Sequence, residues 1–99
     1  MIHPSLATVL TEVIDPELGI NIIDLGLVYE ASIDDGAARV RMAMTSPTCP
    51  LGDVIARDVE AAIRRHHPEV GSVDVEIVDF PVWTPERMSD NARSMLGWK

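Results

Sequence analysis

The single cysteine, Cys49, stands between Pro47 and Pro50 at a point where the sequence predicts the start of a helix. Proline is favoured at the first helical position, so Cys49 is expected to cap that helix. Free backbone N–H groups and the helix dipole at such an end favour a thiolate, which Asp53 one turn further on partly opposes. The pattern indicates a reactive thiolate or a metal ligand, whereas the simpler interpretation is a small buried core residue.

Three carboxylates and a tryptophan are the other candidates for a binding site. Asp15, Glu17 and Asp24 surround the first predicted loop, where they fit metal or partner binding and equally fit solvated turn residues. Trp83 lies in a loop beside Thr84, where its ring either covers the Cys49 site or makes a satellite hydrophobic contact. The sequence alone leaves both choices open.

The histidines do not form a site on spacing alone. His66 and His67 are neighbours at a predicted helix end, and neighbouring positions do not face one another, so a solvated helix terminus is expected. A Cys49 nucleophile would need the fold to bring a histidine to it, and the spacing does not decide this.

Composition narrows the function classes. The chain has 99 residues, with 16 acidic against 8 basic residues and a formal net charge of −8, so a surface for nucleic acid is not expected. One cysteine excludes an internal disulfide and fits a reducing cytoplasm. The sequence shows neither a secretory signal pattern nor an apolar run of membrane width, so no membrane association is expected. We expect one cytoplasmic domain spanning residues 1–99.

The apolar spacing predicts the elements that position these residues. Apolar residues recur at helical spacing from Leu6 to Val13, and Pro16 is expected to end this helix near Ile14. From residue 26 the period becomes two, and Asp35-Gly36 is a strong two-residue hairpin signal. The pairs predicted across that hairpin are Ile33–Ala38, Ala31–Val40, Glu30–Arg41, Tyr29–Met42 and Leu27–Met44.

Beyond Pro50 the pattern predicts a helix, a strand and a second helix. The first helix ends near His66, the strand runs from Val73 to Val78, and Thr84 caps the last helix. The residues expected on the buried helix faces are Leu51, Ile55, Val59, Ala62 and Ile63, then Met88, Ala92, Met95 and Leu96.

The fold class is therefore α+β. We expect a single two-layer domain in the order α-β-β-α-β-α, with a three-stranded sheet and helices mainly on one face. The third strand pairs either with the second strand, in parallel, or with the first strand, antiparallel.

Four blocks in this order resemble the small iron–sulfur cluster assembly domain family, the SufT/PaaD-like proteins related to the eukaryotic cytosolic iron–sulfur targeting factor. The blocks are residues 13–19 (VIDPELG), 21–29 (NIIDLGLVY), 45–50 (TSPTCP) and 83–89 (WTPERMS). The family usually has two prolines before the tryptophan, and Val82 replaces one of them here. The resemblance implies a role in the maturation of iron–sulfur proteins, with the family's reactive cysteine at Cys49.

The resemblance also implies a binding site for a cluster or iron. Its residues would be Cys49, Glu17, Asp15, Asp24, Thr45 and Trp83. An iron–sulfur cluster normally takes four thiolates, and one chain offers one, so no cluster is expected to be held stably by one chain. Cys49 would hold a transient cluster or iron together with a second subunit of a homodimer, a carboxylate such as Glu17, a small thiol or a client.

Two other functions stay open at this point. One is a metal-free adaptor that docks client proteins to an assembly scaffold through the acidic surface and the surface of Trp83 and Trp98. The other is a small enzyme that uses Cys49 as its nucleophile.

Overall fold

The computed structural model describes residues 2–16, 18–44, 52–78 and 82–97. Its elements are α1 (Pro4–Leu10), β1 (Ile14–Asp15), β2 (Ile20–Asn21), β3 (Val28–Asp34), β4 (Ala37–Met42), α2 (Gly52–His66), β5 (Ser72–Ile77), a 3-10 turn (Pro85–Arg87) and α3 (Asp90–Met95). The α+β class and the order of the main elements are confirmed, and β1 and β2 add a small antiparallel pair. Within these ranges, no helix is long and apolar enough to cross a membrane.

The hairpin of β3 and β4 turns at Asp35-Gly36, as predicted. Both turn residues have positive φ, 50° and 76°, which is the geometry of a tight hairpin that follows the twist of its strands. The predicted pairs Ile33–Ala38, Ala31–Val40 and Glu30–Arg41 are confirmed.

The last two predicted pairs of the hairpin are wrong. A bulge between Val28 and Glu30 places Val28, and not Tyr29, opposite Met42. Leu27 then accepts a hydrogen bond from Ala43, 2.9 Å away, and does not pair with Met44. A bulge adds one residue to one strand, and a strict period of two cannot reveal where that happens.

The third strand of the sheet, β5, pairs with β4 in parallel, which resolves the choice that the sequence left open. The connection between them carries α2, as a parallel crossover requires. The Val78 N–H donates to the Met42 carbonyl at 2.8 Å, and the Ala43 N–H donates to that of Leu27. The start of β3 and the ends of β4 and β5 therefore lie together, and we call this the Gly26 end of the sheet.

The core lies between one face of the sheet and the helices α1 and α2. The predicted α2 stripe is confirmed for its four described members, Ile55, Val59, Ala62 and Ile63, which are at most 1% exposed. Leu6 and Leu10 of α1 are fully buried in the same cluster. The other face of the sheet carries charged side chains, among them Glu30, Arg41 and Glu76.

The first helix is shorter than predicted. It ends at Leu10, because the chain reverses between Asp15 and Ile20 and pairs Ile14 with Asn21. Gly19 has φ +71°, a conformation that suits glycine in such a turn. The pairing holds Ile14 and Asp15 in extended geometry, so helical spacing alone gave the wrong boundary.

The last helix is also not the continuous one that was predicted. Thr84 precedes only the 3-10 turn, Met88 is extended, and Ser89 caps α3 by accepting a hydrogen bond from the Ala92 N–H at 3.1 Å. Met95, expected in the core, is 60% exposed, whereas Met88 and Ala92 are buried as predicted. The break occurs because Ser89 is hydrogen-bonded to Asp24 in a loop that is distant in the sequence.

Candidate functional site

Three predicted site residues, Cys49, Thr45 and Glu17, lie outside the described residues. The two residues that flank the cysteine-bearing stretch, Met44 and Gly52, are described. A Cβ built on Gly52 would lie 3.5 Å from the Met44 Sδ, so the end of β4 and the start of α2 are in contact at the Gly26 end of the sheet.

Asp24 is the centre of a hydrogen-bond network at this end of the sheet. The Asn21 Nδ2 donates to Asp24 Oδ2 at 2.8 Å, and the Asp24 N–H donates back to Asn21 Oδ1 at 2.9 Å. From the last part of the chain, the Ser89 hydroxyl donates to Oδ1 at 2.9 Å and the Asn91 Nδ2 donates to Oδ2 at 3.1 Å. The Ser89 N–H also donates to the Asp24 carbonyl at 2.7 Å. Asp24 therefore joins its loop to the start of α3 through hydrogen bonds to Ser89 and Asn91.

The donors that surround Asp24 favour its charged form. The hydrogen bond from Asn21 lowers the pKa of Asp24 below its usual value most strongly, and partial burial opposes this while Ser89 and Asn91 lower it further. Both carboxylate oxygens already accept hydrogen bonds from neutral side chains. This geometry favours a role in holding the site together.

The lowered pKa of Asp24 predicts a pH-dependent contribution to stability. A carboxyl whose pKa is lower in the folded state stabilises the fold above its unfolded pKa, about 3.9, and loses that contribution as the pH falls through the folded pKa. Asp24→Asn should therefore cost the most near neutral pH, and its cost should shrink as the pH falls below the unfolded pKa and through the lowered folded pKa. Urea unfolding of both proteins across this range tests the prediction, and a cost that stays constant with pH contradicts it.

Trp83 is joined to the same loop. Its Nε1–H donates to the Leu25 carbonyl at 2.7 Å, and its partly buried ring packs against the core cluster. The predicted satellite contact is therefore present. The prediction that Trp83 also covers Cys49 concerns a residue outside the described ranges.

Gly26 allows the loop to approach the 3-10 turn closely. Its φ is +75°, and a Cβ at this position would lie only 2.2 Å from the Arg87 carbonyl oxygen. The Arg87 guanidinium carbon lies 4.2 Å from the centre of the Tyr29 ring, a cation–π arrangement. The loop after Asn21 and the segment from Trp83 to Asn91 thus form one unit.

Asp15 is buried, with 1% of its surface exposed, so the interpretation as a solvated turn residue is wrong for this carboxylate. No buried side-chain nitrogen or oxygen among the described residues lacks a hydrogen-bond partner. The main-chain carbonyl of Asp15 accepts a hydrogen bond from the Gly19 N–H at 2.7 Å. Asp15 therefore helps to hold the chain reversal that leads to Gly19.

The three histidines lie at the other end of the molecule. The His67 Nε2 is 2.7 Å from the Ser5 hydroxyl, the His3 Nδ1 accepts the Ser5 N–H at 3.2 Å, and His66 contacts Glu12. The exposed position predicted for His66 is confirmed, but only 18% of the His67 side chain is exposed, so that part of the prediction is wrong.

This histidine group is distant from the start of α2. His66 lies fourteen positions after Gly52 in the helix, a rise of about 21 Å. Within the ranges that the structure covers, no three His, Cys, Asp or Glu side chains are grouped so that they could hold a metal ion.

Sequence reasoning missed Asn21, Arg87, Ser89 and Asn91 as parts of this unit. Asn21 stands three residues before Asp24, a spacing at which an asparagine side chain caps a turn. Ser89 precedes Asp90-Asn91, a composition typical of a helix start, and this signal was available in the sequence. The contact of either segment with the other had no local signal.

Comparisons with known proteins agree with the geometry. Residues 5–76 match the family model described as iron–sulfur cluster assembly protein, so the chain belongs to this family. It is 44% identical over 89 residues to the Fe-S protein maturation auxiliary factor YitW of Bacillus subtilis, covering 89% of this chain and 86% of that protein. It is 45% identical over 86 residues to the maturation auxiliary factor SufT of Staphylococcus aureus, covering 86% of this chain and 97% of that protein.

The fold is also similar to that of solved structures. A Bacillus anthracis domain described as being of unknown function superposes with a TM-score of 0.90 at 42% identity, covering 96% of this chain and 91% of that one. That structure therefore shares nearly the whole of this fold.

Proposed function

We propose that this protein acts in the maturation of iron–sulfur proteins, with Cys49 as the single protein thiolate that this chain gives to a transient cluster or iron. The cluster is cargo that passes through the site, because one thiolate leaves most of the ligand positions of a cluster to be filled from elsewhere. The cytoplasm is the proposed location, since a reducing compartment keeps such a thiol free.

One observation carries this proposal. The loop of Asp24 and the segment that begins at Trp83 are bonded to each other, and both adjoin the end of the sheet where Met44 and Gly52 come together. Two blocks of the resemblance, residues 21–29 and 83–89, therefore lie at the end of the sheet where the described residues on either side of the Cys49 block meet. The names of the curated relatives, both maturation auxiliary factors, support the same function.

The other groups that bind the cluster or iron are proposed to come from a carboxylate, a second copy of the chain, the client or a small thiol. Glu17, two residues after the buried Asp15 in the sequence, is the carboxylate proposed for this set. A second copy of the chain in a homodimer supplies a second thiolate, and the client or a small thiol completes the set. An incomplete set of protein ligands suits release to a client or scaffold protein.

The position of the histidines weighs against a cysteine–histidine enzyme. Three residues of chain span at most about 11 Å, and Cys49 lies three residues before Gly52. The histidine group lies about 21 Å from Gly52 along α2, so a histidine that serves as a base for Cys49 is not expected from the same chain.

The adaptor function is separated from the carrier function by a transfer experiment. Protein loaded anaerobically with iron and sulfide is mixed with an apo-enzyme that needs a [4Fe–4S] cluster, in the presence of an iron chelator. A carrier activates the enzyme, and Cys49→Ala loses this activation. If both proteins bind the client with equal affinity and neither activates it, the metal-free adaptor is correct and the carrier proposal fails.

A further inference from the structure

The outer edge of β5 is the part of the sheet that no described segment covers. The sheet order is β3-β4-β5, and the opposite edge, on β3, is met by the N-terminal segment, where the His3 N–H donates to the Ala31 carbonyl at 2.8 Å. Because the Val78 N–H points to β4, alternation along the strand directs the main-chain groups of Val73, Val75 and Ile77 outwards. These groups can pair with a further strand.

The edge of β5 carries charge of one sign. Natural edge strands are commonly blunted by charged side chains, proline or a bulge; Ser72–Ile77 (SVDVEI) has no proline and no bulge, and its two charges, Asp74 and Glu76, are both negative. Ile77 at its end is 38% exposed. This strand is therefore competent to accept a partner.

The charges on the solvent face of the sheet alternate from strand to strand. Arg41 in the central strand lies 3.8 Å from Glu30 on one side and 3.3 Å from Glu76 on the other. In the neighbouring row, Arg39 stands opposite Asp74. The row through Arg41 is therefore negative, positive and negative across the three strands, and in the row through Arg39 the β3 partner is the neutral Ser32. A strand beyond β5 is favoured when it carries positive side chains opposite Asp74 and Glu76.

Pairing with a second copy of the same strand is disfavoured in the registers that overlap most. An antiparallel pair centred on Asp74 opposes two Asp74 side chains, and one centred on Val75 opposes Asp74 with Glu76. Directly opposed like charges destabilise a strand pair. In these registers a strand with positive side chains is therefore a better partner than a second copy.

We propose that the outer edge of β5 binds an extended segment of a partner protein that alternates basic and apolar residues. The basic side chains pair with Asp74 and Glu76, the main chain pairs with Val73, Val75 and Ile77, and an apolar side chain packs beside Ile77. The inference depends on the sheet alone and stands whether or not Cys49 binds iron.

The test uses the synthetic peptide Thr-Lys-Val-Arg-Val-Lys with the whole protein, followed by amide chemical shifts. Shift changes are expected along Val73, Val75 and Ile77. Asp74→Asn combined with Glu76→Gln should weaken binding about fivefold, since two cross-strand charge pairs are lost. Asp58→Asn combined with Glu60→Gln removes the same charge from α2 and should leave the affinity unchanged.

Methylated peptides distinguish strand addition from general attraction of charge. One peptide is N-methylated at its two valines and the other at its basic residues, so each loses one alternate set of amide donors with the charge retained. Strand addition predicts that one peptide loses about tenfold or more in affinity and that the other does not. The proposal is overturned if both methylated peptides bind with equal affinity, or if the α2 and β5 double variants lose the same affinity for the unmodified peptide. It is also overturned if the unmodified peptide does not bind at concentrations up to about 1 mM.

Discussion

Gly26→Ala is expected to lower the free energy of unfolding by roughly 3–5 kcal/mol. The new Cβ would lie 2.2 Å from the Arg87 carbonyl oxygen, and this neighbour is backbone that cannot rotate away. The φ of +75° adds the strain of a left-handed residue with a side chain. Relief of the overlap must move the 3-10 turn, and this weakens the hydrogen bonds that Trp83 and Ser89 make to the loop.

Gly19→Ala is the matched control for this prediction. Gly19 has nearly the same φ, +71°, but nothing lies within 4 Å of a Cβ at that position. This variant should lose only the strain of about 1–2 kcal/mol. Urea unfolding of the three proteins measures both effects. Equal losses for the two variants contradict the close contact between the loop and the turn.

Trp83→Ala has the second largest expected effect, a loss of about 3 kcal/mol in the free energy of unfolding. The substitution removes a ring that packs against the core and leaves the Leu25 carbonyl without its donor at 2.7 Å. The loss also detaches the last segment of the chain from the loop of Asp24. The release of that segment is expected to loosen the end of the sheet where Met44 and Gly52 meet.

Trp83→Phe separates the two contributions of the tryptophan. Phenylalanine keeps much of the ring packing and removes only the N–H donor, so a loss of about 1 kcal/mol is expected. Unfolding is followed by far-ultraviolet circular dichroism, because both substitutions change the fluorescence. A loss for Trp83→Ala no greater than that for Trp83→Phe contradicts the packing role.

Local signals predicted the parts of the fold that depend on neighbouring residues. The Asp35-Gly36 turn and the pairs nearest to it follow from the turn geometry and from alternation in the strands. The α2 stripe follows from helical spacing. The bulge between Val28 and Glu30 does not, since an extra residue leaves no mark on composition.

The arrangement of the candidate site depends on contacts that the sequence does not encode locally. Asp24 and Ser89 are 65 residues apart, and only the folded chain shows that they bind each other. The same contact breaks the last predicted helix at Ser89 and leaves Met95 exposed. The burial of Asp15 likewise depends on the turn and core around it, so its type alone suggested a solvated residue.

The measurement that tests the central claim most directly is the iron content of protein reconstituted anaerobically with iron and sulfide. The wild-type protein is compared with Cys49→Ala and with Met95→Ala, which removes a different, exposed sulfur. We predict bound iron and visible charge-transfer absorbance in the wild-type protein and Met95→Ala, and the loss of both in Cys49→Ala. Equal iron and equal absorbance in all three proteins would contradict the claim that Cys49 is a ligand.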